Sequence, residues 1–340
     1  MNIYQQILET IKDNQPAAIQ THIQGESGMI SNDISRKVIP AEPITDEKGR
    51  RTAKVTLITG GESLTITEPV LPQERLIILG GGHIAKPLCQ FAAKCGFTVY
   101  LVDDRPEFAN AQRFPDASRI ICDSFGNAIK QLHITPFDYV AILTRGHRND
   151  SDCLRTILPG TFPAYLGMIG SRRRVKAQLE MLTEEGYDEE KLKRICTPIG
   201  LKIGSVTPAE IAVSIMAEVI SYRRLPEFGS ENRYYNDSEV ELSVLEYLAE
   251  NTEPKAIVTI IEAKGSSPRR AGAKMAVSPE GEVIGSIGGG SGEAAAIRDA
   301  VQIIGTGRYQ IKEIDMTGDV AADDDMVCGG TIQVLIEDWN

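Results

Sequence analysis

Apolar and polar positions change their spacing along this chain, and the changes divide it. Ile3, Ile7 and Ile11 recur at i, i+4, i+8 and predict a helix over residues 3–13. Pro16-Ala17-Ala18-Ile19-Gln20-Thr21-His22-Ile23 predicts a strand. Residues 54–59, Gly60-Gly61 and residues 62–67 predict a β-hairpin turned by the glycine pair. From Leu76 to about Arg224, short apolar runs at 76–79, 98–102, 119–122, 139–143 and 164–169 alternate with helical stretches, the pattern of a doubly wound α/β sheet. Its last helix is marked by Thr207-Pro208-Ala209-Glu210, an N-cap with a first-turn proline and a capping-box glutamate. Ile211, Ile215 and Val219 stripe one face of that helix. Leu225 to Asp237 is polar and broken by proline and glycine, as a linker would be. Beyond it, a helix over 239–250, strands over 255–262, 274–278 and 282–287, a helix over 292–304 and strands near 309–316 and 331–337 predict a smaller α+β module.

The predicted fold is therefore α/β: a Rossmann-like doubly wound parallel sheet plus a smaller α+β domain. The first segment echoes the last. Pro254-Lys255-Ala256-Ile257-Val258-Thr259-Ile260-Ile261 matches the strand after Pro16 at Pro, Ala, Ile, Thr and Ile, all at one constant offset. A short helix precedes each copy and a Gly-x-Ser follows it. Residues 1–74 read as a reduced, divergent copy of the small module, 75–226 as the Rossmann-like domain, 227–238 as the linker and 239–340 as the full small domain.

The strongest chemical signal opens the α/β stretch. Leu76-Ile77-Ile78-Leu79 runs into Gly80-Gly81-Gly82-His83-Ile84-Ala85, a G-x-G-x-x-A turn, and then into a helical pattern. Such a turn lets the backbone approach a pyrophosphate, and the helix start offers free N–H groups and a positive dipole end. The second strand ends in Asp103, at about the usual ~20-residue distance for an acid that binds a ribose hydroxyl. NAD(P) in this cleft, and an NAD(P)-dependent oxidoreductase, is therefore one reading. No tyrosine–lysine pair or comparable hydride-transfer set accompanies it.

Composition narrows the partners. The 340 residues carry a net charge of −11, which argues against nucleic acid. The start lacks a signal peptide, no apolar run approaches a membrane span, and six scattered cysteines without C-x-x-C spacing read as reduced thiols. A cytoplasmic protein with no membrane partner is expected. An anionic ligand must then be held locally, by arginines and backbone amides.

Two loops of the last module suit that task. Gly288-Gly289-Gly290-Ser291 precedes a helix that carries Glu293, and its successive amides predict an anion nest. Arg269 and Arg270 add charge-assisted donors. Cys328, before a glycine pair at a strand start, is a candidate thiol for metal or sulfur chemistry. In the α/β domain, Thr144-Arg145-Gly146-His147-Arg148-Asn149-Asp150 follows the fourth strand. His147 with Asp150 reads either as an oriented imidazole or as a helix N-cap by Asp150 beside a surface histidine. Gly170-Ser171-Arg172-Arg173-Arg174 starts a helix after the next strand, as a phosphate clamp or as a solvated face. His22 and His133 have no evident partner.

These blocks carry a resemblance. Gly265-Ser266-Ser267-Pro268-Arg269, Gly272-Ala273-Lys274-Met275, the glycine loop ending in Glu293, and Cys328-Gly329-Gly330 resemble the XdhC/CoxI family. So do Gly82-His83-Ile84, Asp104-Arg105-Pro106, Arg113-Phe114-Pro115, the run from Tyr165 to Arg173, Pro198-Ile199-Gly200-Leu201, and Pro208 with Glu210-Ile211-Ala212. The resemblance covers roughly residues 75–337. It implies an accessory factor that binds the molybdenum cofactor (molybdopterin), protects it during sulfuration, and inserts it into a xanthine dehydrogenase-type molybdenum hydroxylase. The implied partners are that hydroxylase and a cysteine desulfurase. A homodimer is expected, because handover often uses a cleft between modules. The cargo's phosphate or nucleotide would fall to Gly80, Gly82, His83, Asp103, Arg105, Ser171, Arg172, Arg173, Arg269, Gly288, Gly289, Gly290, Ser291 and Glu293. Two features depart from the family. Ser291 stands where the family usually has cysteine, which leaves Cys328 as the one candidate thiolate towards molybdenum. The full small domain also follows the Rossmann domain, whereas in the family it usually precedes it. A third reading keeps the glycine loops as plain turns in a catalytically silent interaction protein.

Overall fold

The computed structural model describes residues 1–12, 15–24, 34–42, 44–45, 51–60, 63–225, 228, 235–236, 238–315 and 330–339. The chain forms two compact units. One joins Met1–Pro72 with Tyr234–Asn340, and the other is Gln73–Arg233.

The second unit is the Rossmann domain. In chain order after α1 and β1 to β6 of the first unit, it runs β7 (Arg75–Leu79), α2 (Ala85–Lys94), β8 (Thr98–Asp103), β9 (Arg119–Cys122), α3 (Phe125–Leu132), β10 (Tyr139–Ile142), α4 (His147–Ile157), β11 (Tyr165–Met168), α5 (Arg172–Glu184), α6 (Glu189–Lys193) and α7 (Pro208–Arg224). Its parallel sheet has the order β11-β10-β7-β8-β9. The unbroken apolar run of β7 is explained by burial on both faces: Leu76, Ile77, Ile78 and Leu79 are all fully buried. Ile77 and Leu79 face the core shared with α3, α4 and α5, and Leu76 and Ile78 face that of α2 and α7. Each such side chain contributes roughly 1.5–3 kcal/mol. The capping box at Thr207 and Glu210 is present as expected.

The first unit is built from both chain ends. Its N-terminal part runs α1 (Ile3–Lys12), β1 (Ala17–Gln24), β2 (Ile34–Pro40), β3 (Ile44–Thr45), β4 (Arg51–Ala53), β5 (Thr56–Gly60) and β6 (Ser63–Val70). Its C-terminal part runs β12 (Tyr235–Asn236), α8 (Leu242–Glu250), β13 (Lys255–Gly265), β14 (Lys274–Val277), β15 (Val283–Gly285), α9 (Gly290–Ile303), β16 (Tyr309–Asp315) and β17 (Gly330–Trp339). The two larger sheets have the orders β2-β1-β6-β5 and β15-β14-β13-β17-β16. The shared part of these orders is the same, strand for strand. Where the C-terminal copy inserts β15 and α9, the N-terminal one carries β3 and β4. β2 is absent from the sequence reading, because its Ser-Arg-Lys stretch hides the alternation.

Among the described residues, no helix is long and apolar enough to cross a membrane.

Candidate functional site

In a doubly wound sheet, ligands settle beyond the carboxyl ends of the strands, where the strand order reverses. Here that point lies between β7 and β10. Leu79, Ile142 and Met168 are level across β7, β10 and β11. The loops that follow them therefore leave the same edge: Gly80 to Ile84, Thr144 to Gly146, and Gly170-Ser171. This edge brings together Gly80, Gly82, His83, His147, Asp150, Ser171 and Arg173 from the sequence-predicted set.

The glycine turn is held from below. Gly80 has φ of 115°, and a Cβ there would stand 2.4 Å from the Leu143 carbonyl oxygen. Only glycine fits. Gly82 differs: its φ is not positive, and a Cβ would meet no atom within 4 Å. The Cα of Gly82 thus faces open space. The next helix, α2, starts at Ala85 with no side-chain cap on its N-terminus. His83 is exposed.

Asp103 corrects one expectation. Its carboxylate, 1% exposed, is turned inward onto the loop and does not face a ribose. It accepts from the Gly81 N–H at 2.8 Å and from Arg105 at the backbone N–H, Nε and Nη2 (3.1, 2.8 and 3.0 Å). Burial acts to raise its pKa, but the bonds from Arg105 and Gly81 outweigh that and hold it below the usual range. Arg105 is accordingly engaged, with its guanidinium 3.7 Å from the Phe108 ring centroid. Arg113 joins the same structure, donating to the Gly81 and Gly82 carbonyls at 3.1 and 3.4 Å. No spacing rule points to Arg113; the loop after β8 must fold back over the glycines before it arrives.

On the β10 side, Arg145 is paired with Asp104 through two bonds of 2.9 and 3.0 Å. Asp150 lies in the first turn of α4, but the N-cap is Gly146. The Asp150 carboxyl is buried, and the Thr144 hydroxyl donates to it at 2.6 Å. Burial raises its pKa to about 6, against lowering by Thr144, Arg174 and His147. The bond of Asp150 thus goes to Thr144, while His147 is exposed. Because the folded pKa lies above the unfolded one, the stability tied to this group is present at low pH and is lost as pH rises from about 4 through about 6. Asp150→Asn should therefore stabilise the Rossmann unit by about 1–2 kcal/mol at pH 8 and by nothing at pH 4. Denaturant unfolding at the two pH values checks this, and an equal effect at both would contradict it.

On the β11 side, Ser171 is the N-cap of α5 and is exposed, as are Arg173 and Arg174. Arg172 is the first residue of that helix. In a chain of net charge −11, this edge is a local basic surface.

The glycine loop of the first unit does not fit an external anion. Glu293 reaches back from α9 and fills the nest. Its Oε2 accepts from Ser286 Oγ (2.6 Å) and from the amides of Ile287 (2.8 Å), Gly288 (3.2 Å) and Gly289 (3.0 Å). Burial raises its pKa, but these bonds more than offset that and hold it below the ordinary value. Gly288 and Gly289 therefore already hold an anion of the chain's own. Gly290 and Ser291 belong to the first turn of α9. Arg269 is likewise taken, by Glu239 at 2.9 Å and by Glu241. Cys328 lies outside the described residues. Removing the Glu293 carboxylate should cost the loop about 1–2 kcal/mol. In Glu293→Ala, the thermal midpoint should fall by a few degrees and sulfate should recover part of it. Sulfate should raise the midpoint of the variant by more than that of the wild type, whose general salt effect sets the reference. An unchanged midpoint, or equal sulfate effects, would contradict this reading of the nest.

Fold and edge define a Rossmann-type domain with an open glycine turn and a basic strand-end surface, joined to a small antiparallel-sheet unit. Comparison with known proteins supplies the family. Residues 76–219 match the XdhC Rossmann domain, and residues 248–315 match the XdhC and CoxI family. Together these matches cover more than half of the chain, which belongs to the XdhC/CoxI family. The uncharacterized protein YqeB of Escherichia coli (strain K12) is 35% identical over 150 residues, 44% of this chain and 27% of its own. A Bacillus subtilis (strain 168) protein, named as a probable subunit of xanthine dehydrogenase, is 31% identical over 153 residues, 45% of this chain and 44% of its own. The molybdenum cofactor insertion chaperone PaoD of Escherichia coli (strain K12) is 36% identical over 153 residues, 45% of this chain and 41% of its own. The chain thus matches less than half the length of each of these relatives. A solved Bacillus halodurans structure described as a xanthine dehydrogenase aligns with 64% of this chain and 92% of its own, at 20% identity and a TM-score of 0.40.

Proposed function

We propose that this chain is an accessory factor that binds the molybdenum cofactor as cargo and assists its sulfuration and insertion into a xanthine dehydrogenase-type molybdenum hydroxylase. The observation that carries this reading is the crevice at the β7–β10 switch point. The Cα of Gly82 faces open space, α2 starts with no side-chain cap, and Arg173 and Arg174 stand exposed along the same edge. That combination suits the phosphate or nucleotide end of a pterin cofactor. The names of two relatives, one a molybdenum cofactor insertion chaperone and the other a probable subunit of xanthine dehydrogenase, support the choice of cargo. The glycine nest at Glu293 has no part in it. Glu293 and Asp103 act as positioning residues, each holding a glycine turn in shape from inside the chain.

The engagement of Asp103 by Gly81 and Arg105 weakens the case for NAD(P) in the same crevice, since the ribose-binding acid of that reading is turned away. The test is a molybdenum hydroxylase purified from its native host with and without this chain. Hydroxylase made without it should be poor in molybdenum and inactive, and should regain activity on addition of the cofactor-loaded chain. Full molybdenum content and full activity without the chain would overturn the proposal.

A further inference from the structure

Two buried ion pairs lie inside the first unit. Lys274 Nζ, 2% exposed, bonds Glu68 Oε1 at 2.6 Å and Thr259 Oγ1 at 2.8 Å. Arg36 bonds Glu337, which is 4% exposed. The strand registers relate the two pairs. Arg36 on β2 stands opposite Thr21 of β1, and Lys274 on β14 stands opposite Thr259 of β13. Glu68 on β6 stands opposite Ile19, and Glu337 on β17 opposite Ile257. Ile19 and Thr21 are the counterparts of Ile257 and Thr259 in the repeated strand. Arg36 is therefore the counterpart of Lys274, and Glu68 of Glu337. Each base bonds the acid of the other copy. The two salt bridges are exchanged across a pseudo-twofold.

The apolar contacts obey the same exchange. Ile7, Ile11 and Ile19 share one core with Leu245, Ala249 and Ile257. Ile23 and Ile66 share another with Ile261 and Leu335. Helix α1 packs on α8. A face with a base and an acid arranged in this way is complementary to itself. A second C-terminal copy, rotated by the twofold, would set Lys274 of each against Glu337 of the other.

We infer that residues 1–72 serve as a built-in second copy of the small module, occupying a self-complementary face whose alternative occupant is the small module of another chain. Among the described residues the N-terminal copy has no counterpart of α9 and its glycine loop, so it supplies the partner surface and no second ligand loop. Covering the face in cis keeps two chains from pairing through it.

The test uses the full chain and its sole tryptophan, Trp339. This ring lies on Tyr4 with centroids 5.0 Å apart and under Arg36 at 5.4 Å, so its emission reports whether the N-terminal copy is docked. R36E/E68K sets like charges against Glu337 and Lys274 while leaving the C-terminal face intact. The expected result is a red shift of Trp339 emission and a doubling of the mass measured by light scattering relative to wild type. Restoring complementarity in R36E/E68K/K274E/E337K should return both to wild-type values. If R36E/E68K aggregates, the milder E68Q should show a dimer fraction that rises with concentration above that of wild type. A red-shifted variant whose mass stays at the wild-type value, or an E68Q with wild-type concentration dependence, would overturn the inference.

Discussion

Glu68→Ala should lower the unfolding free energy of the first unit by about 3–5 kcal/mol. The cause is what remains. Lys274 is 2% exposed, and burial already pulls its pKa down against the raising effect of Glu68. With Glu68 gone, its ammonium keeps only the Thr259 hydroxyl among the contacts described above. Water cannot replace the carboxylate at that depth, so the amine must either stay charged without a counter-ion or lose its proton. Removing both partners has a different outcome. Glu68→Leu combined with Lys274→Met leaves no orphan charge, and the pair should cost less than about 1.5 kcal/mol. Urea unfolding followed at Trp339 reads this unit directly. A double variant as unstable as the single one would show that packing, and not the uncompensated charge, sets the effect.

The second large effect separates two glycines of one motif. Gly80→Ala should destabilise the Rossmann unit by about 3 kcal/mol or more, since its Cβ would stand against a backbone carbonyl in a conformation that only glycine adopts. Gly82→Ala should cost less than about 1 kcal/mol, because nothing lies within 4 Å of the added methyl and the backbone is unstrained. Binding should divide the other way. The methyl at Gly82 occupies the approach of the anion, and cofactor retention should fall at least about tenfold, or 1.4 kcal/mol. Thermal unfolding and cofactor content, measured on the same preparations, check both halves. A Gly82→Ala protein that is both native and fully loaded would remove the crevice from the account.

Much of the fold was legible because its elements have simple periods. The doubly buried strands of the Rossmann unit show as plain apolar runs, and Thr207-Pro208-Ala209-Glu210 announces α7 by local chemistry alone. β2 was not legible: Arg36 sits on its inward face against Glu337 while Ser35 and Lys37 are exposed, so polar residues stand on both faces and no apolar alternation shows. The site was half legible. Glycine spacing located the turn at Gly80, but glycines in a row say only that amides are available. Whether a ligand or the chain's own carboxylate takes them depends on a side chain from elsewhere. Asp103 and Glu293 are those side chains, and both were read as ligand-facing. Asp103 lies at the end of the neighbouring strand, where burial turns it onto Gly81. Glu293 lies one helical turn beyond the loop, where it can cap the amides before it. An acid so soon after a glycine run is a signal for an internal cap, and it was available in the sequence.

The account rests on the switch-point crevice holding the cofactor. Its most direct measurement is the pterin and molybdenum content of the full chain purified from a host that makes the cofactor, beside the Gly82→Ala variant. The account predicts near-stoichiometric pterin on the wild type and little on a variant that unfolds like it. Wild-type protein free of pterin, or equal loading of the two, would contradict it.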